Sequence, residues 1–221
     1  NTSSTVNENG ASYIYMAIRR GSLAQPTSGT EVFSPNLASG YPRYPSGFAT
    51  DFVIQKSRSS GGGSAYSRLQ GNNNLVPNTT AQESASSWDW AQMDGSGNNL
   101  TTTSYIGWSW KRAPSFFDVV AYSGDAIAGR TVSHNLTVAP EMMWVKKRNG
   151  TANWIAYHKD LGNNAIVYPN LTNASFTSTG YWDSTTPTES VFTLGNSGNV
   201  NGTSDTFIAS LFASLDGVSK V

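Results

Sequence analysis

The sequence predicts an all-β protein, an antiparallel β-sandwich built from two related units in tandem. Three observations predict it. Ordered matches recur along the chain at a nearly constant offset. Short runs rich in Val, Ile, Phe, Tyr, Trp and Thr alternate with Gly, Pro, Asn and Ser. No long stretch carries apolar residues at three-to-four spacing, so helices are not expected.

The repeat is read directly. Phe52-Val53-Ile54-Gln55-Lys56-Ser57-Arg58 returns as Met142-Met143-Trp144-Val145-Lys146-Lys147-Arg148, an offset of 142 − 52 = 90. Ala65-Tyr66 with Gly71-Asn72-Asn73 returns as Ala156-Tyr157 with Gly162-Asn163-Asn164, and 156 − 65 = 91. Val76-Pro77-Asn78 returns as Tyr168-Pro169-Asn170, and 168 − 76 = 92. Trp88-Asp89 returns as Trp182-Asp183, and 182 − 88 = 94. The upward creep is what loop insertions produce. The boundaries expected from the repeat are 22–113 for the first sandwich module and 114–221 for the second.

The elements follow in order. Tyr13, Ile14, Tyr15, Met16, Ala17 and Ile18 resemble a closing strand, with Ile14, Met16 and Ile18 on one face. Residues 1–21 are therefore expected to be the closing strand of a preceding copy, or a strand exchanged with a neighbour. Tyr13, Ile14, Tyr15, Met16 and Ile18 are the candidate assembly strand. Its counterparts are Tyr105 to Trp110 and Phe207 to Phe212. In these, Ile106, Trp108 and Trp110 share a face, as do Phe207, Ala209, Leu211 and Ala213. Phe52 to Arg58 is a strand, and Gly61-Gly62-Gly63 marks the tip of its hairpin. In the second unit, strands are expected at 116–122, 131–138, 141–147, 155–158, 165–168 and 190–194. Ser123-Gly124-Asp125 and Arg148-Asn149-Gly150 supply turn chemistry. Phe52, Ile54, Ile106, Trp108, Trp144 and Phe212 are the expected core.

Composition narrows the function classes. The chain has 221 residues, 14 Lys+Arg against 14 Asp+Glu, and no cysteine. Disulfides, thiolate metal sites and cysteine nucleophiles are excluded. A balanced charge at 13% charged residues does not fit a phosphate-tracking groove, so no nucleic-acid partner is expected. No run approaches the roughly 18 to 20 apolar residues that cross a bilayer, so no membrane insertion is expected. Asn-x-Ser/Thr triplets, such as Asn78-Thr79-Thr80 and Asn135-Leu136-Thr137, arise by chance in a chain this rich in those residues.

Neither a catalytic set nor a cofactor or metal site is expected. His134 and His158 are not duplicated and read as structural. The sparse carboxylates form no recognisable acid pair. Zinc and EF-hand spacings do not occur. Sugar binding is the rival to a structural role. Trp88, Trp90, Tyr181 and Trp182 lie in polar, loop-like surroundings and are the candidate carbohydrate-binding residues. Exposed aromatic rings stack on pyranose faces while nearby amides and carboxylates bond the hydroxyls.

The second unit carries the more distinctive string: Gly129-Arg130-Thr131-Val132-Ser133-His134-Asn135-Leu136, then Val138-Ala139-Pro140-Glu141 into Met142 to Arg148, then Trp154-Ile155-Ala156-Tyr157-His158. Val191-Phe192-Thr193-Leu194-Gly195 and Phe207 to Ala213 complete it. This resembles a repeated β-module of tailed-bacteriophage tail-fibre and virion structural proteins, especially marine and cyanobacterial ones. The resemblance covers residues 117–221 well. The first unit lacks the Ala-Pro pair, with Ala49-Thr50 in its place, and has Tyr66-Ser67 for Tyr157-His158. It implies a lectin-like, jelly-roll or concanavalin-like sandwich and a location in a virion or outside a cell. It also implies self-association into a homo-oligomer or filament with other virion proteins as partners, and a non-enzymatic role. A carbohydrate-binding adhesin recognising host-surface glycans is the alternative.

Overall fold

The computed structural model describes residues 23–59 and 61–221, and the expected assembly strand around Tyr13 to Ile18 lies outside them. The first unit contains β1 (Phe33–Leu37), β2 (Tyr44–Pro45), β3 (Phe52–Ser57), β4 (Gly63–Ser67), β5 (Asn73–Asn74), β6 (Ser84–Ala85), β7 (Gly95–Ser96) and β8 (Tyr105–Trp110). The second contains β9 (Phe117–Ser123), β10 (Arg130–Ser133), β11 (Met142–Lys147), β12 (Ile155–His158), β13 (Ala165–Ile166), β14 (Phe176–Thr177), β15 (Val191–Leu194) and β16 (Thr206–Phe212). Two one-turn helices, α1 (Thr179–Trp182) and α2 (Gly198–Asn201), sit in loops of the second unit.

The duplication seen in the residues is also a duplication of topology. One four-stranded antiparallel sheet runs β1-β8-β3-β4, and the other runs β9-β16-β11-β12 when read in the same sense. The registers correspond as well. Phe52 faces Trp110 and Val53 faces Tyr66 in the first sheet. Met142 faces Phe212 and Met143 faces Tyr157 in the second. The small pairs match too: β5-β6 with β13-β14, and β2-β7 with β10-β15.

Alternation along the strands places three apolar layers. Phe52, Ile54 and Trp110 point from the first sheet toward Phe117, Val119, Met142, Trp144, Ile208 and Phe212 of the second, forming one central core. Ring centroids lie 5.7 Å apart for Phe52 and Phe117, and 6.4 Å apart for Trp110 and Phe212. The intervening residues point outward. Val53 and Tyr66 pack with Tyr44 and Trp88 behind the first sheet. Met143, Val145, Phe207, Ala209 and Leu211 pack with Trp182, Phe192 and Val200 behind the second. The face shared by Phe207, Ala209, Leu211 and Ala213 is thus the outer core of the second unit.

The recurring Trp of the Trp-Asp pair fastens each unit's loops to its sheet. Trp88 stacks on Tyr66 at 3.8 Å and 19°, with Tyr44 at 6.0 Å on the same core. Trp182 meets Tyr157 edge-on at 5.8 Å, and its indole N–H donates to the Ala165 carbonyl at 3.3 Å. Tyr44 also explains Gly107: a Cβ there would come within 2.7 Å of the Tyr44 ring, so the ring lies flat on bare backbone.

Several local expectations change. β1 is an additional strand; Pro35 within it disguised it, and it is tolerated because β1 is a sheet edge. The expected strand 131–138 stops at Ser133, where His134 donates its amide to Ser190 and the chain turns. Of the expected core residues, Phe52 and Phe212 are buried, while Ile54, Ile106, Trp108 and Trp144 are half-buried. The largest fully buried side chains are Trp88 and Trp182 instead. Trp182→Ala is therefore expected to cost about 3 to 5 kcal/mol in urea unfolding. Trp108→Ala should cost clearly less in the same titration.

Candidate functional site

The seam between the units is built by residues 76–83, a loop of the first unit laid across the second. The Trp154 indole N–H donates to the Val76 carbonyl at 3.2 Å, and the Ala152 amide donates to the Thr80 carbonyl at 3.0 Å. The Glu83 amide donates to the Arg148 carbonyl at 2.8 Å. Arg148 returns a forked contact, Nε to Oε2 at 2.5 Å and Nη2 to Oε1 at 3.1 Å. Burial opposes the Glu83 charge, but the bonds from Arg148 and Asn73 outweigh it and hold the carboxyl below its ordinary range. Asp118, 2% exposed, ties the junction at the other end. It accepts from Arg112 Nε at 2.5 Å and from the Asn135 amide at 2.7 Å. The Arg112 amide in turn donates to Asp51 at 2.8 Å.

Lys146 is the unusual group of this seam. It is 0% exposed, on the inward side of β11, and its ammonium bonds two carbonyls, Lys147 at 2.9 Å and Thr80 at 3.4 Å. Lys56, at the same place in the first unit, is exposed and bonds Gly61 at the hairpin tip. Burial, and then the positive charge of Lys147, pushes Lys146 down to about 8. Beside this seam lies an apolar cleft of about 120 Å³ lined by Phe52, Ile54, Ala65, Pro77, Trp144, Trp154 and Pro169. Its two prolines, and its Ile54 and Trp144, are equivalent positions of the two units.

The candidate sugar-binding residues are placed differently from expectation. Trp88 and Trp182, at 2% and 0% exposure, and Tyr181, at 7%, are core residues with no ring face left for a ligand. The polar neighbours that suggested exposure, Ser87 and Asp89 beside Trp88, turn outward while the indole turns in. The Tyr181 hydroxyl is paired with that of Tyr168 at 3.0 Å. Only Trp90 of the four is half-buried. Its N–H donates to the Gly71 carbonyl at 2.7 Å, and the Arg68 guanidinium lies 5.3 Å above its ring. The structure does not bring the four together: Trp88 and Trp90 adjoin at 6.0 Å in the first unit, and Tyr181 and Trp182 belong to the second.

Both histidines are built into backbone. His134 is 6% exposed, with Nδ1 accepting the Leu136 amide at 3.2 Å and Nε2 against the Thr188 carbonyl at 3.2 Å. Nε2 therefore carries the proton, and burial holds the ring below its ordinary pKa. His158 Nδ1 accepts the Asp160 amide at 3.3 Å and caps a short turn. Among the described residues no three His, Asp or Glu side chains are grouped to hold a metal, and no helix is long and apolar enough to cross a membrane.

A family model described as a domain of unknown function, DUF7483, matches residues 44–221, and the chain belongs to that family. No curated protein and no solved structure matches it.

Lys146 yields a pH prediction. An unfolded lysine titrates near 10.4. Between about pH 8 and about pH 10 the unfolded chain keeps a proton that the folded chain releases, so folding stability rises with pH there. Higher up, buried Tyr44 and half-buried Tyr122, both raised by desolvation, reverse the trend as unfolded tyrosines ionise. Thermal unfolding at pH 7 and pH 9.5 should show a gain for the native chain that Lys146→Met lacks.

Proposed function

We propose that this DUF7483 chain is a non-enzymatic structural building block that self-associates. In keeping with the resemblance to tail-fibre proteins, it would serve as a component of a virion or fibre, acting beside other virion proteins. The observation that carries this reading is the central core: each unit buries its inner sheet face against the same face of a second unit. A module whose natural ligand is a copy of itself is suited to assembly.

The sheet edges point the same way. β1 carries Pro35 opposite Trp108, which blocks strand addition. The matching edge strand β9 carries Val119 opposite Ser210 and has no proline along its seven residues. The amides of Phe117 and Val119 and the carbonyl of Ser123 are engaged away from β16. By alternation Ala121 also faces outward. Its side chain is exposed, and among the described residues its backbone has no partner on that side. A strand such as that expected at Tyr13 to Ile18, from a neighbouring copy, could add there.

Sedimentation velocity tests the reading. The chain is expected to run as oligomers or filaments, and Ala121→Pro, which removes an outward N–H without touching the β16 ladder, should shift it toward monomer. A native chain that stays monomeric at all concentrations would overturn the reading.

A further inference from the structure

A loop face of the first unit, distinct from the assembly edge, has the makings of a ligand site. Tyr41 is 56% exposed, and among the described residues the only other exposed large aromatic is Phe176 at 38%. An exposed tyrosine is ordinarily free to turn, but this one is tethered. Its hydroxyl donates to Asp89 Oδ2 at 2.5 Å, and the Gln92 amide bonds the same hydroxyl. Gln92 Nε2 also lies 3.3 Å from Asp89 Oδ2.

The tether is itself anchored. Asp89 follows the buried Trp88, its other oxygen accepts the Ala91 amide at 2.8 Å, and its carbonyl accepts the Gly97 amide at 2.8 Å. The bond from Tyr41, followed by the one from Ala91, holds the Asp89 carboxyl below its ordinary range, so it is an anion and an acceptor. Met93, 73% exposed, adds apolar surface in the same loop. The second unit keeps the anchor but not the platform. After Trp182 the chain turns at once, with Asp183 at φ 50 and its amide bonded to Thr179.

We propose that Tyr41, Asp89 and Gln92 form a carbohydrate-binding site for a neutral hexopyranose. The fixed phenol ring stacks on the apolar face of the sugar. Asp89, which accepts from Tyr41, Gln92 and the Ala91 amide, keeps one lone pair for a sugar hydroxyl, and the Gln92 side-chain oxygen supplies a further acceptor. The ring is already ordered, so binding does not have to immobilise it. Neutral sugars are favoured over anionic ones because Asp89 brings a negative charge to the rim. The nearby cations are otherwise engaged, Arg43 by Gln55 and Asn98, and Arg68 by Asp51 and the Thr50 and Trp90 carbonyls. The site neither uses nor requires the assembly edge. If the chain does self-associate, repeated weak sites would gain avidity by about 10² to 10⁴.

Saturation-transfer NMR on the intact chain tests this with the methyl glycosides of glucose, galactose, mannose and N-acetylglucosamine as probes. At least one is expected to receive saturation, lost at least about tenfold in Tyr41→Ala and weakened in Asp89→Asn. Phe176→Ala, which removes the exposed ring of the other unit, should bind as the native chain does. Asp89→Asn keeps an acceptor for the Tyr41 hydroxyl, so it reports on the site even if Tyr41→Ala folds poorly. Failure of all four glycosides to bind, or binding unchanged in both site variants, would overturn the proposal. Either result leaves the assembly reading untouched, because sedimentation is measured without sugar.

Discussion

The structure depends on a single contact, the burial of one sheet's inner face against the inner face of its counterpart. Phe52 and Trp110 on one side, and Phe117, Ile208 and Phe212 on the other, make a core to which neither unit could contribute alone. Burying each such side chain is worth roughly 1.5 to 3 kcal/mol. Several together are comparable to the roughly 5 to 15 kcal/mol by which domains are typically stable. Separated, each unit would expose a wide apolar face of the kind that marks association surfaces. The polar seam adds direction to this contact: the Arg148–Glu83 fork and the Arg112–Asp118 ion pair set one register between the sheets.

Each unit has a second core on its outer side, and here the copies have diverged. Behind the second sheet, Trp182, Phe192, Leu194 and Val200 form a broad apolar layer. Behind the first sheet the layer is thin, built on Tyr44, Tyr66 and Trp88 with Ala38 and Val53. The first unit compensates with polar contacts, such as Tyr44 to Gln55 at 2.9 Å and the Arg43 guanidinium 5.3 Å above Trp88. That freedom at the outer loops is what lets one copy carry the tethered Tyr41 while the other stays a plain scaffold.

Much of the fold was legible in the residues because the repeated ones perform the same physical job twice. Trp88 with Tyr66, and Trp182 with Tyr157, are the fasteners of the two units, so they survive in both copies. The strands followed from alternation, as in Phe207, Ala209 and Leu211. Less legible was anything set by partners distant along the chain. Trp88 reads as exposed because its sequence neighbours are polar, and only the packed sheet shows that it is buried. Glu83 and Arg148 lie 65 residues apart and match no motif. Tyr41 gave no signal, since nothing local distinguishes it from other loop tyrosines until Asp89, 48 residues away, reaches its hydroxyl.

The shared core makes the two sheets one cooperative body. Native-state hydrogen exchange across a urea series measures this directly, amide by amide. The shared core predicts that amides of β3 and β11 open with the same free energy and the same urea dependence, in one global step. Separate openings, with one sheet exchanging while the other stays protected, would contradict it.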